Sequence, residues 1–404
     1  MALDSEQLRR HRRERANRQK AARGRRRKVF LGLGAAVIIV AVCCVLIFSR
    51  KPEKEPAGSG KTTTIHFAAA GDLNITDGVV ESGGSRYDYE KVFMDVAHLL
   101  ADADVAALNF EGNVCGEPYG ADSAPQSLLQ ALDAAGVDLL QLANSFSIHR
   151  GLYGLATTVD AIRASGMEPV GAYASQEEAA AGKGYVILNV KGIRIGVTAF
   201  TKGLNESATV PPNGVGCVNL LYKDYDSVYQ EVDTEGISRV LDSLNREEPD
   251  IVIAMLHWGS PYVDTISNTQ KKIISLMQEK GVDAIIGTHP HYVQQMVYDA
   301  DKGTFLAYSL GDFYGGDAKK SGTEYSVILD LAITKNHDTG ETKITGYSYT
   351  PIFTVRQDGL PVKVVRIKET MEAYEAGYID RVSRETYDAM AYALDRIEAR
   401  VTGK

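Results

Sequence analysis

Three apolar runs of strand length between residues 251 and 313 each end abruptly in polar or glycine-bearing turns. They read IVIAMLHWG, DAIIGTHPHYVQ and TFLAYSLGDF, and the first two carry His257, His289 and His291 near their carboxyl ends. In a parallel sheet, ligands bind outside the carboxyl ends of the strands, so histidines just past such ends can converge on one point. The segment therefore predicts both a buried sheet and the place of a functional site.

The chain from about residue 64 alternates strand and helix patterns in the same way. TIHFAAAGD, DVAALNFEG and VDLLQLANSF read as strands, and YVILNVKGIRIGVTAFT reads as a hairpin with Lys191 and Gly192 at its turn. Beyond about residue 325, further apolar runs predict antiparallel strands, followed by a final helix over residues 381–401. Strands alternating with helices predict an α/β domain in which a largely parallel sheet lies beside a more antiparallel one.

The beginning of the chain has a different character from the rest. Residues 1–28 hold twelve Lys or Arg against three acidic residues, a formal charge of +9, whereas the remainder carries −17. Residues 29–48 are twenty residues without a charge, about the length that crosses a bilayer as a helix, and no small-residue cleavage motif of a signal peptide follows. We expect a single-pass membrane protein with a cytoplasmic basic head (1–28), a transmembrane helix (29–48), a linker (49–63) and an extracellular domain (64–404).

Two further features of composition bear on partners and compartment. An Arg-rich head can bind nucleic acid, but a topology signal or contact with anionic lipid explains it without a further assumption, so we expect no nucleic-acid partner. Cys43 and Cys44 lie in the apolar segment. Cys115 and Cys217 could form one disulfide outside the membrane or remain free thiols, and their spacing does not decide between the two.

Polar residues that follow the predicted strands form a candidate metal site. They are Asp72, Glu111, Asn144, His257, His289 and His291. Carboxylate oxygens together with imidazole nitrogens suit Mn, Zn or Fe, and two such ions a few Å apart can hold both oxygens of a phosphoryl displacement. Taken singly, an Asp at a strand end is more often a helix cap, and a His beside the only tryptophan is more often a packed core residue. Taken together, the residues predict one or two divalent ions.

Five motifs in a fixed order carry a family resemblance. They are GDLNI at 71–75, NFEG at 109–112, HWG at 257–259, GTHPHYVQ at 287–294 and YSLGDF at 308–313. Over roughly residues 64–320 the chain resembles the bacterial capsule-synthesis CapA family, which is associated with poly-γ-glutamate capsules. That family is similar to calcineurin-like metallophosphatases, so the resemblance implies a two-sheet β-sandwich flanked by helices. It also implies an anionic envelope polymer and membrane capsule-synthase and export subunits as partners.

The resemblance implies metal-binding roles for Asp72 and Glu111, and it matches the three histidines to those of the family. The chain departs from the family where a run like ANNH becomes Ala143-Asn144-Ser145-Phe146. Ser145 stands in place of an asparagine that would bind metal, and Phe146 in place of a histidine that would contact the oxyanion of the substrate. Phenylalanine can neither donate a proton nor stabilise negative charge.

Two residues near these motifs raise further questions. His149, three residues after Phe146, is the candidate catalytic replacement if it reaches the site. Asp312 stands where asparagine is more usual in the family.

Two functions are compatible with this pattern. The first is a membrane-anchored factor of capsule or envelope-polymer synthesis that binds metal and has weakened catalysis. The second is an active metal-dependent hydrolase that cleaves phosphoesters or an amide-linked polymer; a scaffold without metal is a third, weaker reading. Because the outer domain is acidic, contact with an anionic polymer requires a locally basic surface. Candidates for it are Lys183, Lys191, Lys202, Lys271 and Lys272.

Overall fold

The computed structural model describes residues 61–182, 184–205, 208–357, 360–378 and 382–403. The strands in these ranges are β1 (Thr62–Asn74), β2 (Val105–Glu111), β3 (Leu139–Gln141), β4 (Glu168–Val170), β5 (Tyr185–Val190), β6 (Ile193–Thr201), β7 (Ile251–His257), β8 (Ala284–Thr288), β9 (Met296–Asp299), β10 (Thr304–Ala307), β11 (Asp312–Tyr314), β12 (Tyr325–Asn336), β13 (Thr342–Val355) and β14 (Lys363–Arg366). The helices are α1 (Asp77–Glu81), α2 (Glu90–Phe93), α3 (Ala97–Ala101), α4 (Gln126–Ala135), α5 (Gly151–Ala164), α6 (Gln176–Gly182), α7 (Thr234–Asn245), α8 (Asn268–Glu279), α9 (Ile367–Glu375) and α10 (Arg384–Thr402).

The strands form two mixed sheets. The larger has the order β14-β13-β12-β1-β2-β3-β4, with β11 also paired to β1, and the smaller has the order β5-β6-β7-β8-β10-β9. Strands β1 to β4 are parallel, as are β6, β7, β8 and β10. The predicted α/β class is confirmed. The expected division into one parallel and one antiparallel sheet is wrong, because the antiparallel strands β12 to β14 extend the same sheet as β1.

The two faces of β7 show how the layers pack. Its odd-numbered residues, such as Ile253, lie in a core cluster that includes buried residues of both sheets. Its even-numbered residues, such as Val252, lie in a second cluster with apolar residues of α7 and α8. Since side chains alternate across a strand, a strand buried on both faces reads as a continuous apolar run. The smaller sheet is therefore packed against the larger sheet on one face and against helices on the other.

Capping side chains fix where the two helices beside β7 and β8 begin. Asp233 accepts a hydrogen bond from the backbone N–H of Gly236 at the start of α7. Ser267 and Gln270 form a reciprocal capping box at the start of α8. Each cap satisfies backbone N–H groups that the first helical turn leaves free. The caps thereby stabilise the first turns of the two helices that cover the smaller sheet.

The domain begins slightly earlier than the sequence pattern indicated. Strand β1 starts at Thr62, inside the predicted linker 49–63, because Thr62 and Thr63 pair with Asn336 and Lys335 of β12. Three consecutive threonines show no apolar alternation, so the pattern could not reveal this pairing. The predicted head 1–28 and transmembrane helix 29–48 lie outside the described residues. Within the residues that are described, no helix has both the length and the apolar character to cross a membrane.

Two smaller predictions have a clear outcome. Strands β5 and β6 form the predicted antiparallel hairpin, and its turn residues Lys191 and Gly192 have φ values of 53° and 86°. Positive φ at both central residues is typical of a tight hairpin turn. Of the two alternatives for the cysteines, the structure has Cys115 and Cys217 as free thiols.

A close approach between two backbones holds β11 against β1. The N–H of Asp72 donates to the carbonyl oxygen of Gly311 at 2.9 Å, and Asp72 pairs in register with Asp312. A Cβ atom at Gly71 would lie only 1.7 Å from that Gly311 oxygen. Residue 71 must therefore be glycine for the two aspartates to lie side by side.

We expect Gly71→Ala to destabilise the fold by about 3 kcal/mol, because the added methyl group forces β11 away from β1. Thermal unfolding followed by circular dichroism measures this. The matched control is Gly346→Ala in β13, where a Cβ meets nothing within 4 Å, so its unfolding midpoint should stay close to that of the wild type. Equal midpoints for the two variants would contradict the close approach.

Candidate metal centre

The carboxyl ends of strands from both sheets meet at one place. Asp72 lies near the end of β1, Glu111 ends β2 and His257 ends β7, while His289 and His291 follow β8. Strands β1 and β2 are neighbours in one sheet, β7 and β8 are neighbours in the other, and β1 contacts β8 between the sheets. The topology thus brings together residues that are more than two hundred positions apart.

One group of potential ligands consists of Asp72, Glu111 and His257. Each offers a ligand atom, and the three atoms lie within 4.8 Å of one another. Nδ1 of His257 is 3.6 Å from Oε1 of Glu111. All three residues are buried, and buried charged groups persist only when they are paired or bind a metal.

A second group consists of Asp72, His291 and Asp312, again within 4.8 Å of one another. Nδ1 of His291 is 2.8 Å from Oδ1 of Asp312 and 3.7 Å from Oδ2 of Asp72. Asp72 belongs to both groups. Asp312 was not among the predicted ligands, although the presence of aspartate where the family more often has asparagine was a signal for it.

Burial raises the pKa of two carboxyl groups of the centre, those of Glu111 and Asp312. Burial, followed by the charge of Asp72, raises the pKa of Glu111 well above its usual range. Burial also raises the pKa of Asp312 to about 6, although its hydrogen bond to His291 lowers it. Carboxylates that are desolvated and close to one another gain from a nearby cation.

The histidines of the centre differ in charge. Burial lowers the pKa of His291, but the hydrogen bond to Asp312 and the surrounding carboxylates outweigh it and raise the pKa to about 10. Burial holds the pKa of His257 and of His289 well below the usual range. Burial therefore favours the neutral imidazole at His257 and His289, which is the form that binds a metal ion.

Unpartnered polar atoms at the centre fit a divalent ion. Both ring nitrogens of His289 and Oδ2 of Asp312 are buried and find no hydrogen-bond partner among the residues that the structure describes. His289 and His291 also have φ values of 93° and 60°, in the left-handed region that non-glycine residues seldom adopt. Buried orphan atoms and backbone strain at one point are characteristic of a binding site. The donor set of carboxylates and imidazoles suits Mn, Zn or Fe, and the identity of the metal stays a prediction.

Asn144 has a different position from the other predicted ligands. Its Oδ1 accepts the backbone N–H of Phe146 at 2.9 Å. Its Nδ2 donates to the carbonyl oxygen of Phe110 at 2.7 Å and to Oδ1 of Asn109 at 3.0 Å. The structure thus places Asn144 behind Asn109 and outside both ligand groups, and its role as a ligand stays a prediction.

Asn109 is the residue that sequence reasoning missed. Its Nδ2 donates to Oδ1 of Asp72 at 2.7 Å and to Oε1 of Glu111 at 2.9 Å, and lies 3.3 Å from Nδ1 of His257. The available signal was its position two residues before Glu111, which puts both side chains on the same face of β2.

The segment that departs from the family lies beside the first group. Oγ of Ser145 is 3.1 Å from Nε2 of His257. The ring of Phe146 packs against that of His149 with their centroids 5.5 Å apart. Nε2 of His149 is 2.8 Å from Oδ1 of Asp122 and belongs to neither ligand group. The proposed catalytic role of His149 stays a prediction, and in this arrangement its free ring nitrogen is Nδ1.

Among the lysines predicted to contact a polymer, Lys202 lies next to the centre. Its backbone N–H donates to the carbonyl oxygen of His257 at 2.7 Å, and its Nζ donates to that of Gly259 at 2.8 Å. Burial lowers the pKa of Lys202. Of the other candidates, Lys191 is paired with Asp104. Lys271 and Lys272 are exposed near the start of α8, and Lys183 lies outside the described residues.

We expect Asp72→Ala to lower the affinity for Mn²⁺ by about 100-fold or more, because this carboxylate belongs to both ligand groups. Isothermal titration of the chelator-stripped protein measures the affinity. His149→Ala is the control and should keep the wild-type affinity, since His149 contacts Asp122 instead. Wild-type Mn²⁺ binding by the Asp72 variant would show that the two groups are not a metal centre.

Solved structures with detectable likeness to this chain are distant. A phosphatase from Mycoplasma pneumoniae aligns with 13% identity and a TM-score of 0.44, covering 72% of this chain and 95% of that one. A calcineurin-like phosphoesterase from Bacillus subtilis aligns with 15% identity and a TM-score of 0.42, covering 83% of this chain and all of that one.

Sequence relatives are closer. The chain is 28% identical over 287 residues to the capsule biosynthesis protein CapA of Bacillus anthracis, covering 69% of this chain and 66% of that protein, just under two thirds of its length. It is 23% identical over 342 residues to the PGA biosynthesis protein CapA of Bacillus subtilis, covering 82% of this chain and 84% of that protein. The model of the family described as "Bacterial capsule synthesis protein PGA_cap" matches residues 66–317, more than half of the chain. The predicted resemblance is confirmed, and the chain belongs to this capsule synthesis family.

Proposed function

We propose that this chain is a membrane-anchored accessory factor of capsule or envelope-polymer synthesis, with an outer domain that binds a divalent metal and has weakened hydrolytic activity. The observation that carries the proposal is that the site keeps its candidate metal ligands but has no proton donor at residue 146. Two ligand groups, buried except for the partly exposed His291, converge on Asp72, whereas residue 146 is phenylalanine. Membership of the capsule synthesis family and relatives named for capsule and PGA biosynthesis support a poly-γ-glutamate-like polymer as the partner.

The chain's own residues would bind and orient an anionic polymer segment beside the metal centre. Asp72, His291 and Asp312, or Asp72, Glu111 and His257, would hold an ion, which would act as a Lewis acid towards a carbonyl or phosphoryl oxygen. Lys202, at the end of β6, would supply positive charge next to that oxygen. A local positive charge is needed because the outer domain as a whole is acidic.

The loss of a proton donor at residue 146 explains why catalysis would be weak. The side chain of Phe146 is apolar and packs against His149, whose Nε2 is held by Asp122. The hydroxyl of Ser145 orients His257 through Nε2. A positioned general acid or base typically contributes about 10²–10⁴-fold to a rate, so its absence is a large loss.

The uncharged stretch at residues 29–48 supports a position of the domain outside the cell. As a transmembrane helix it would leave the basic head in the cytoplasm and the domain beyond residue 61 outside, where capsule polymer accumulates. Membrane capsule-synthase and export subunits would be its partners there. An active metal-dependent hydrolase is the alternative function, favoured by the unpartnered ring nitrogens of His289.

In the organism, deletion of this chain should remove or strongly reduce the anionic surface polymer, because the factor acts in its synthesis. Polymer extracted from the surface of the deletion strain and its parent is quantified by electrophoresis and staining. Complementation with the wild-type chain should restore the polymer, and complementation with Asp72→Ala should not. Unchanged polymer in the deletion strain would contradict the proposed function.

Purified wild-type protein loaded with Mn²⁺ should hydrolyse an aryl phosphate no faster than His257→Ala does. Phe146→His should raise that rate by about 10-fold or more, because it restores a group that can donate a proton beside the ligand groups. Phe146→Leu is the matched control and should stay at the wild-type rate. A wild-type rate well above that of the His257 variant would favour the active hydrolase instead.

A further inference from the structure

We infer that this chain binds a single divalent ion, in the group formed by Asp72, His291 and Asp312, because the side-chain amide of Asn109 occupies the other group. The inference rests on the metal binding proposed above and specifies how many ions the centre takes and where. It follows from a chain of amide hydrogen bonds that begins at the main chain.

The main chain fixes the orientation of Asn144. The backbone N–H of Phe146 can only donate, so the side-chain atom 2.9 Å from it must be the oxygen. The backbone carbonyl of Phe110 can only accept, so the side-chain atom 2.7 Å from it must be the nitrogen. These two contacts leave one possible orientation of the Asn144 amide.

The orientation of Asn144 determines that of Asn109. Because the Asn144 nitrogen also points at Asn109, 3.0 Å away, Asn109 must present its oxygen there. Its own nitrogen therefore points at Asp72 and Glu111, 2.7 Å and 2.9 Å away. The two amide hydrogens bind one oxygen of each carboxylate.

The first group is thus already neutralised in part by the chain itself. The positive end of the Asn109 amide lies against the atoms that an ion would need, including Nδ1 of His257 at 3.3 Å. Turning this amide would set its oxygen against Asp72 and Glu111 and its nitrogen against the nitrogen of Asn144. Each buried group left without a partner costs about 1–3 kcal/mol, so an ion in this group must overcome that penalty.

The second group contains an unsatisfied acceptor, although Nδ1 of His291 contacts Oδ1 of Asp312 at 2.8 Å. Asn74 donates to Oδ1 of Asp312 at 2.8 Å, but Oδ2 of Asp312 is buried and has no partner within the described part of the chain. Asp312 also adds a negative charge that an asparagine at that position would not supply. The ion therefore binds where a buried carboxylate oxygen is unsatisfied.

The test uses the full-length chain, purified in detergent, stripped with a chelator and titrated with Mn²⁺ alone. We expect about one ion per wild-type chain, with the electron paramagnetic resonance signal of an isolated ion. Asn109→Asp removes the amide hydrogens and adds a carboxylate, so it should bind about two ions whose spins are coupled. Asn245→Asp, a distant residue that donates to the carbonyl oxygen of Lys280, is the matched control and should bind about one ion.

A second variant tests where the ion lies. Asp312→Asn should weaken binding of the single ion by about 10-fold or more, because it removes a charged ligand. Two coupled ions in the wild-type chain would overturn the inference while leaving metal binding intact, and an unchanged affinity in Asp312→Asn would overturn the assigned position. Absence of any Mn²⁺ binding by the wild type would overturn the proposed metal centre itself. The wild-type measurement decides the number of ions even if Asn109→Asp fails to fold.

Discussion

The side chain of Asp72 is the element on which the rest of the centre depends, because both groups of ligands include it. Two donors hold its carboxylate in place, the backbone N–H of His289 at 3.0 Å and the amide of Asn109 at 2.7 Å, and its own backbone N–H donates to the carbonyl oxygen of Gly311 at 2.9 Å. These three partners lie in the turn after β8, in β2 and just before β11. The carboxylate of Asp72 therefore connects the two sheets. A movement of one sheet relative to the other would change the hydrogen bonds of this carboxylate.

The fold could be predicted from the sequence where the apolar period was strong. Runs such as IVIAMLH are buried on both faces and gave a strand without ambiguity, and Lys191 with Gly192 marked a hairpin turn by their chemistry. The extension of β1 to Thr62 and the addition of β12 to β1 could not be predicted in this way. They depend on pairing between segments far apart in the chain, and the alternation within one strand says nothing about its neighbour.

The candidate site was also predictable only in part. Residues of distinctive chemistry at strand ends, such as His257 and His291, were identified directly, and the structure brings them together around Asp72. Asn109 was missed because an asparagine inside a strand carries no chemical signal until its neighbours are known. Asp312 lies beside Asp72 only because β11 pairs with β1, and that pairing depends on the absence of a side chain at Gly71.

The hydrogen bonds between the side-chain amides of Asn144 and Asn109 are oriented by the backbone N–H of residue 146. The side chain of Phe146 takes no part in them. Every amino acid except proline has that N–H. The residue at this position is therefore free to change without loosening the carboxylates, and a proton-transferring group can be gained or lost by a single codon change. The assembly of the centre therefore does not depend on which side chain stands at residue 146.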